Sequence, residues 1–203
     1  MKIPTLTEAE ELIAEAEQRN PGLWVSHSRY AAEAAQAIAS YHPELDADKA
    51  YILGLLHDIG RYFGVTGMRH SLDGYLLLLE KGFDDAAPIS ITHSYVVQDI
   101  SHVNSAWDGT EEELKFMRNY ITNIKYSKYD RLIQLCDGIS LPTGHCLIEK
   151  RMVDVALRYG TSKYSVPRWK AFFKIKEDFE KEIGCSIYSL LPNIIENTFG
   201  FMQ

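Results

Sequence analysis

No apolar run in this chain approaches the roughly 20 residues needed to cross a bilayer. The stretch Met1 to Asn20 is charged and amphipathic, without the apolar core and small-residue cleavage site of a signal peptide. Neither a membrane-spanning helix nor a secretory leader is expected, and the expected location is cytoplasmic. Cysteine is sparse as well: Cys136, Cys146 and Cys185 show no CxxC spacing, which rules against a disulfide framework and fits reduced thiols serving as small core side chains. Positive charge is in deficit, with 21 Lys and Arg against 28 Asp and Glu and a net charge of -7. That balance argues against general binding to nucleic acid or acidic membranes, while leaving room for a local basic pocket. Repeats, low-complexity stretches and long linkers are missing too. With 203 residues, 46% of them hydrophobic, the expectation is one domain over 1–203 built on a single core.

Strand-like alternation is also lacking, and turn signals separate segments of helical length, so the fold class reads as all-α. Thr7-Glu8-Ala9-Glu10 resembles a capping box ahead of Leu12, Ile13 and Ala16, giving a first helix that ends at Asn20-Pro21-Gly22. An alanine-rich helix follows from about Trp24 to Tyr41. A third, from about Asp46 to Asp58, is apolar nearly all round and therefore central and buried. Further helices are expected at about Ser71 to Lys81, Asp85 to His93, Thr110 to Ile124, Lys128 to Leu141, His145 to Tyr159, Pro167 to Ile183 and Ser186 to Asn197. The longest irregular stretch, about Val96 to Gly109, is either a loop bordering a site or a connector.

What the sequence does hold is the run Leu55-Leu56-His57-Asp58-Ile59-Gly60-Arg61, with two metal-binding side chains adjacent at the end of an apolar helix. A carboxylate is the wrong charge for a helix C-terminus, and Gly60 reads as a stop signal directly after it, so a positive group is expected next to Asp58. A divalent cation satisfies imidazole and carboxylate together. Four more residues stand at helix ends or on inward faces. His27 lies in the first turn of the alanine-rich helix, His70 precedes the Ser71 segment, and His93 ends the helix whose first turn contains Pro88. Asp137 stands among Leu132, Ile133, Leu135, Cys136 and Ile139, where it is either a ligand or the partner of an Arg or Lys. Singly, each histidine has the bland reading of a hydrogen-bonded core residue. Together these side chains offer six ligands from separate helices, enough for two metals sharing a bridging carboxylate.

The chain resembles the HD-domain superfamily of metal-dependent phosphohydrolases through His27, the His57-Asp58-Ile59-Gly60 tetrapeptide and Asp137. The resemblance extends from about His27 to Tyr159, with a family-type core of about 24–160. Arg69-His70-Ser71-Leu72-Asp73-Gly74 and Thr92-His93-Ser94 look like the extra histidines of dinuclear members, among them the bacterial diadenosine tetraphosphate hydrolases. The longer Gly-Tyr-Pro signature of the cyclic-dinucleotide phosphodiesterases is missing, which disfavours cyclic dinucleotides.

Position by position, the resemblance implies that His27, His57, Asp58 and Asp137 hold one metal. Asp58 would bridge to a second held by His70 and His93. Some dinuclear members carry two adjacent histidines where this chain has His93-Ser94, which leaves an open position at the second metal. One or two divalent transition ions are implied, with iron, manganese, zinc or cobalt favoured over magnesium by the histidine-rich set. The implied reaction is hydrolysis of a phosphomonoester or phosphoanhydride of a small molecule, a nucleotide above all, with metal-bound hydroxide as nucleophile and the ions about 3.5–4 Å apart. The rival enzyme reading is an HD-fold mixed-valence di-iron oxygenase, which uses the same ligand set. A non-catalytic binding or regulatory module is disfavoured by the intact His-Asp pair.

Asp73, one helical turn beyond His70, either orients that ring or takes a proton from water, or else serves ordinary dipole and capping duty. Arg61 either holds a substrate phosphate or lies at the surface as a helix cap. Lys125, Lys128, Lys150 and Arg151 are weaker phosphate candidates, and Asp130 reads as a structural partner for a basic residue. Of the remaining histidines, His42, His102 and His145, His102 is the one expected nearest substrate. The aromatic tail from Trp169 to Phe201 reads as core or homodimer surface rather than a base-stacking platform. The expected partner is a phosphorylated small molecule.

Overall fold

The computed structural model describes residues 2–200; Met1 and the Phe201 end of the aromatic tail lie outside them. The protein is all-α, with ten α-helices among the described residues and one short hairpin. Helix α1 (Leu6–Arg19) opens with a capping box, but the cap is Thr5, with Glu8 reaching back to the Thr5 amide at 2.7 Å. The sequence carries two overlapping T-x-x-E patterns. Starting at Leu6 adds backbone hydrogen bonds, such as Ala9 N–H to the Thr5 carbonyl at 3.0 Å, while keeping Ala9, Leu12, Ile13 and Ala16 on the buried face.

Helices α2 (Leu23–Ala39) and α3 (Ala47–Leu56) form the tightest pair in the molecule. Alanine on α2 and Gly54 on α3 let the backbones close in: a Cβ on Gly54 would lie 2.7 Å from the Ala32 Cα. That approach sets His27, in the second turn of α2, beside His57 at the end of α3, with ring centroids 5.3 Å apart.

Beyond α3 the chain makes a turn and a 3-10 helix, Ile59–Phe63. Gly60 does not stop the preceding helix, as its position suggested; the glycine with left-handed φ is Gly64, at +125°. Gly60 instead sits inside the 3-10 turn, where the absence of a side chain admits the His70 carbonyl and the Gly74 amide of α4 (Arg69–Glu80). Gly74 is in turn pressed against Ser90 of α5 (Ala87–Thr92). Two glycines thus bring three backbone segments together around Asp58.

Helix α6 (Glu111–Asn123) has its own capping box at Thr110 and Glu113, and packs Met117 and Ile121 with Met68, Leu72, Ile91 and Tyr95 into a small second core. Helix α7 (Lys128–Asp137) begins with a box at Ser127 and Asp130. Asp130 has no basic partner there: it accepts hydrogen bonds from the Ser127 amide and hydroxyl and from the Thr92 hydroxyl. After α7 the chain forms a two-residue hairpin, β1 (Ser140–Leu141) and β2 (Gly144–His145), so His145 lies in a strand and not at a helix start. Helices α8 (Ile148–Tyr159), α9 (Ser165–Ile183) and α10 (Ile194–Phe199), with a 3-10 turn at Ile187–Leu190, complete the structure. Phe179 joins the main core and Phe173 and Tyr188 pack against it. No helix among the described residues is long and apolar enough to cross a membrane.

Candidate metal centre

Four buried histidines gather around Asp58, and in each Nδ1 is tied to a backbone carbonyl. His57 Nδ1 meets Gly54 O at 2.6 Å, His93 Nδ1 meets Ile89 O at 3.2 Å, His27 Nδ1 meets Ser140 O at 3.2 Å, and His70 Nδ1 is held by Gly67 O. A carbonyl only accepts, so each Nδ1 carries the proton and each Nε2 keeps its lone pair, the state a metal ligand needs. Three of those carbonyls lie three or four residues upstream on the same turn, so the local helix geometry itself sets the rings.

The ligand atoms of His27, His57 and Asp58 all lie within 4.8 Å of one another, and so do those of Asp58, His70 and His93. Asp58 belongs to both groups. Its Oδ1 stands 3.2 Å from His70 Nε2 and 3.5 Å from His93 Nε2, while Oδ2 accepts from Arg61 Nε at 2.9 Å. Asp137 joins through His27, its Oδ1 being 3.0 Å from His27 Nε2, and is braced by Arg151 Nη2 at 3.5 Å. The Arg151 contact matches the reading of Asp137 as the partner of a basic residue, and its contact with His27 sets it beside the centre.

The residues fit a divalent transition metal on a structural observation: His57 Nε2 is buried with no hydrogen-bond partner. An unsatisfied buried acceptor is costly, and a cation held by His57, His27 and Asp58 removes the cost. Burial pushes the His27 and His57 imidazoles below the ordinary 6.5, against the pull of Asp137 and Asp58 respectively, and so keeps them unprotonated. Burial would raise the Asp58 carboxyl, but Arg61 and the His70 and His93 contacts outweigh it and hold it well below the carboxylate range. Asp137 is likewise held low, with His27 and Arg151 overcoming burial. The thiols take no part: burial raises Cys136 well above its ordinary value and Cys146 to about 11.

These shifts fix a pH dependence for the metal-free protein. An imidazole whose folded value is depressed takes up its proton more readily in the unfolded chain, so stability falls as pH drops below about 6.5. The depressed carboxyls stay ionised there and give up their contribution only below about 3.8. Urea midpoints measured in chelator should therefore fall between about pH 7 and about pH 5, and His57→Gln should flatten that fall. An unchanged midpoint in wild type would contradict the neutral-imidazole assignment.

The centre opens into a cavity of about 880 Å³. Arg61 lines it, half-buried, with its Nε on Asp58. Of the irregular stretch 96–109, Val103, Asn104 and Ser105 line the cavity, and Asp108 accepts from the Gly67 and Arg69 amides, so that stretch borders the site. His102 is not on the wall; its ring packs on Tyr164 with centroids 4.6 Å apart. Asp73 is also off the wall. It pairs with Arg69 at 3.3 Å, four residues before it, and the Gly67 carbonyl, not Asp73, orients His70. His42 binds Glu182 at 2.6 Å and His145 the Tyr30 carbonyl at 3.0 Å, both structural contacts. Lys128 is engaged by Glu182, and Lys125 is exposed away from the cavity. Lys150 and Arg151 do line it. Asp154 and Arg158, an i,i+4 pair on α8, and Arg168 on α9 also lie on the wall; the sequence did not single them out, since they follow no motif.

An all-helical scaffold carrying adjacent His and Asp at a helix end, with further histidines and a distant Asp converging on them, defines a class of metal-binding domains. The HD domain family matches residues 24–141, and the chain belongs to it. That family consists generally of metal-dependent phosphohydrolases, and its members bind divalent metals. No curated protein and no solved structure matches the chain.

Proposed function

We propose that this protein is a metal-dependent phosphohydrolase acting on a phosphomonoester or phosphoanhydride of a small molecule, with a nucleotide as the favoured class, a reading that rests in part on its resemblance to dinuclear members such as the diadenosine tetraphosphate hydrolases. The observation that carries this reading is the charge of the cavity. In a chain of net charge -7, the wall holds five basic side chains against three acidic ones, with the acidic Asp58 and Asp137 already at the metal centre.

His27, His57, Asp58 and Asp137 would hold one ion, and Asp58, His70 and His93 the other. Such a pair supplies an acidified water and neutralises charge on phosphoryl oxygens. The chain's own part is positioning. Arg61, fixed through Nε to Asp58 and lining the cavity, keeps further N–H groups that suit a phosphoryl oxygen. Arg151 keeps Asp137 ionised and fixed. Ser94 donates to His93 Nε2 at 2.9 Å, so a ligand at that nitrogen competes with a hydroxyl able to turn to water or substrate instead.

The deciding experiment measures metal content, then follows phosphate release and oxygen uptake across a nucleotide and phosphonate panel with iron, manganese and cobalt. Phosphate release without oxygen uptake is expected. Oxygen consumption with no phosphate released from any substrate would replace the hydrolase with the di-iron oxygenase.

A further inference from the structure

Arg168 is only 7% exposed, lines the cavity, and has a buried Nη1 with no hydrogen-bond partner. A charged donor kept out of water and left unpaired is costly, and the cost is removed when a bound anion completes it. The neighbouring charges on the same wall do not supply that anion. Asp154 is shared between Arg151 Nη1 at 3.0 Å and Arg158 Nη2 at 2.7 Å, and Asp137 is committed to His27 and Arg151. Lys150 adds another positive charge at the exposed edge of the cavity. All of these basic residues lie beyond residue 141, outside the family-matched segment, and are distinct from the His/Asp centre.

We propose that Arg168, supported by Lys150 and Arg158, is a second anion subsite, which takes a phosphate group of the substrate other than the one presented to the metal centre. A guanidinium offers two parallel N–H groups to phosphoryl oxygens, a geometry that lysine cannot reproduce. The substrate class this selects is a small molecule carrying two phosphates, joined in an anhydride chain or placed separately. The inference rests on the hydrolase reading only in naming the other phosphate as the one cleaved; binding at Arg168 needs no turnover.

The test therefore begins with binding. Inorganic phosphate is titrated calorimetrically into the full-length Asp58→Asn protein in chelator, which removes the metal centre as a competing anion site. Binding is expected, weakened about tenfold or more by adding Arg168→Met, and partly restored by Arg168→Lys. Without phosphate, Arg168→Met in the wild-type background should melt no lower than wild type, because it removes an unpaired buried charge; a structural arginine would give a lower Tm. In steady-state assays, Arg168→Met should raise KM about tenfold for substrates with a second phosphate, change kcat less than about twofold, and leave nucleoside monophosphates unaffected. Comparing a nucleoside diphosphate with a 3′,5′-bisphosphate shows which placement the subsite takes. No phosphate binding by Asp58→Asn, or binding indifferent to Arg168→Met, overturns the subsite. Absence of phosphate release from wild type overturns the hydrolase reading while leaving the binding result to stand alone.

Discussion

Asp58→Ala should leave the purified protein nearly devoid of metal and reduce phosphate release by at least about a hundredfold. Asp58 is the one carboxylate common to both ligand groups, so its loss removes a negative ligand from each at once. It also leaves Arg61 and the inward-facing His70 and His93 without the anion they surround. Asp58→Asn keeps the shape and one acceptor oxygen, so it separates loss of the ligand from loss of fold. His93→Ala removes a residue from only one group and should retain about half the metal by elemental analysis, with His27, His57 and Asp58 intact. An Asp58→Ala protein that holds its usual metal complement would refute the shared-ligand assignment.

Gly60→Ala should be the most damaging conservative change away from the ligands. The added methyl would point into the His70 carbonyl and lie 2.5 Å from the Gly74 amide, and both neighbours are backbone in α4, unable to rotate away. The 3-10 turn and α4 would have to separate, which costs about 3 kcal/mol or more and lowers Tm by roughly 6–12 °C. The same separation carries His70 away from Asp58, so metal affinity should fall with stability even though no ligand is changed. A calorimetric scan with metal analysis checks both. A normal Tm with a full metal complement would mean that this crossing is looser than the geometry indicates.

Much of this was legible in the sequence, for reasons that differ from element to element. Helical periodicity located the helices because their buried faces recur at 3.6 residues, and α3 announced its central place by being apolar all round. The clustering of His27, His57, Asp58, His70 and His93 was legible because imidazoles and carboxylates at helix ends among apolar neighbours need an explanation. Where the reading missed, a nearer interaction had taken the residue. Asp130, seven residues before Asp137, suggested a shared face but is spent on its own helix cap. Asp73, one turn after His70, pairs with Arg69. Gly60 looked like a terminator because spacing shows where a chain can turn but not which backbone crosses it. Arg168 was invisible for the same reason: its burial is set by tertiary packing, and no local pattern records that.

The cavity is assembled from two stretches of chain with different obligations. The cradle lies within residues 24–141, where each histidine is locked to a main-chain carbonyl, so drift there breaks the centre. The basic wall comes from Lys150 to Arg168, on helices that hold no metal-directed side chain. On the proposed reading, changes at Arg158 and Arg168 would alter selectivity while leaving the His/Asp cradle in place, whereas Arg151 ties α8 to that cradle through Asp137.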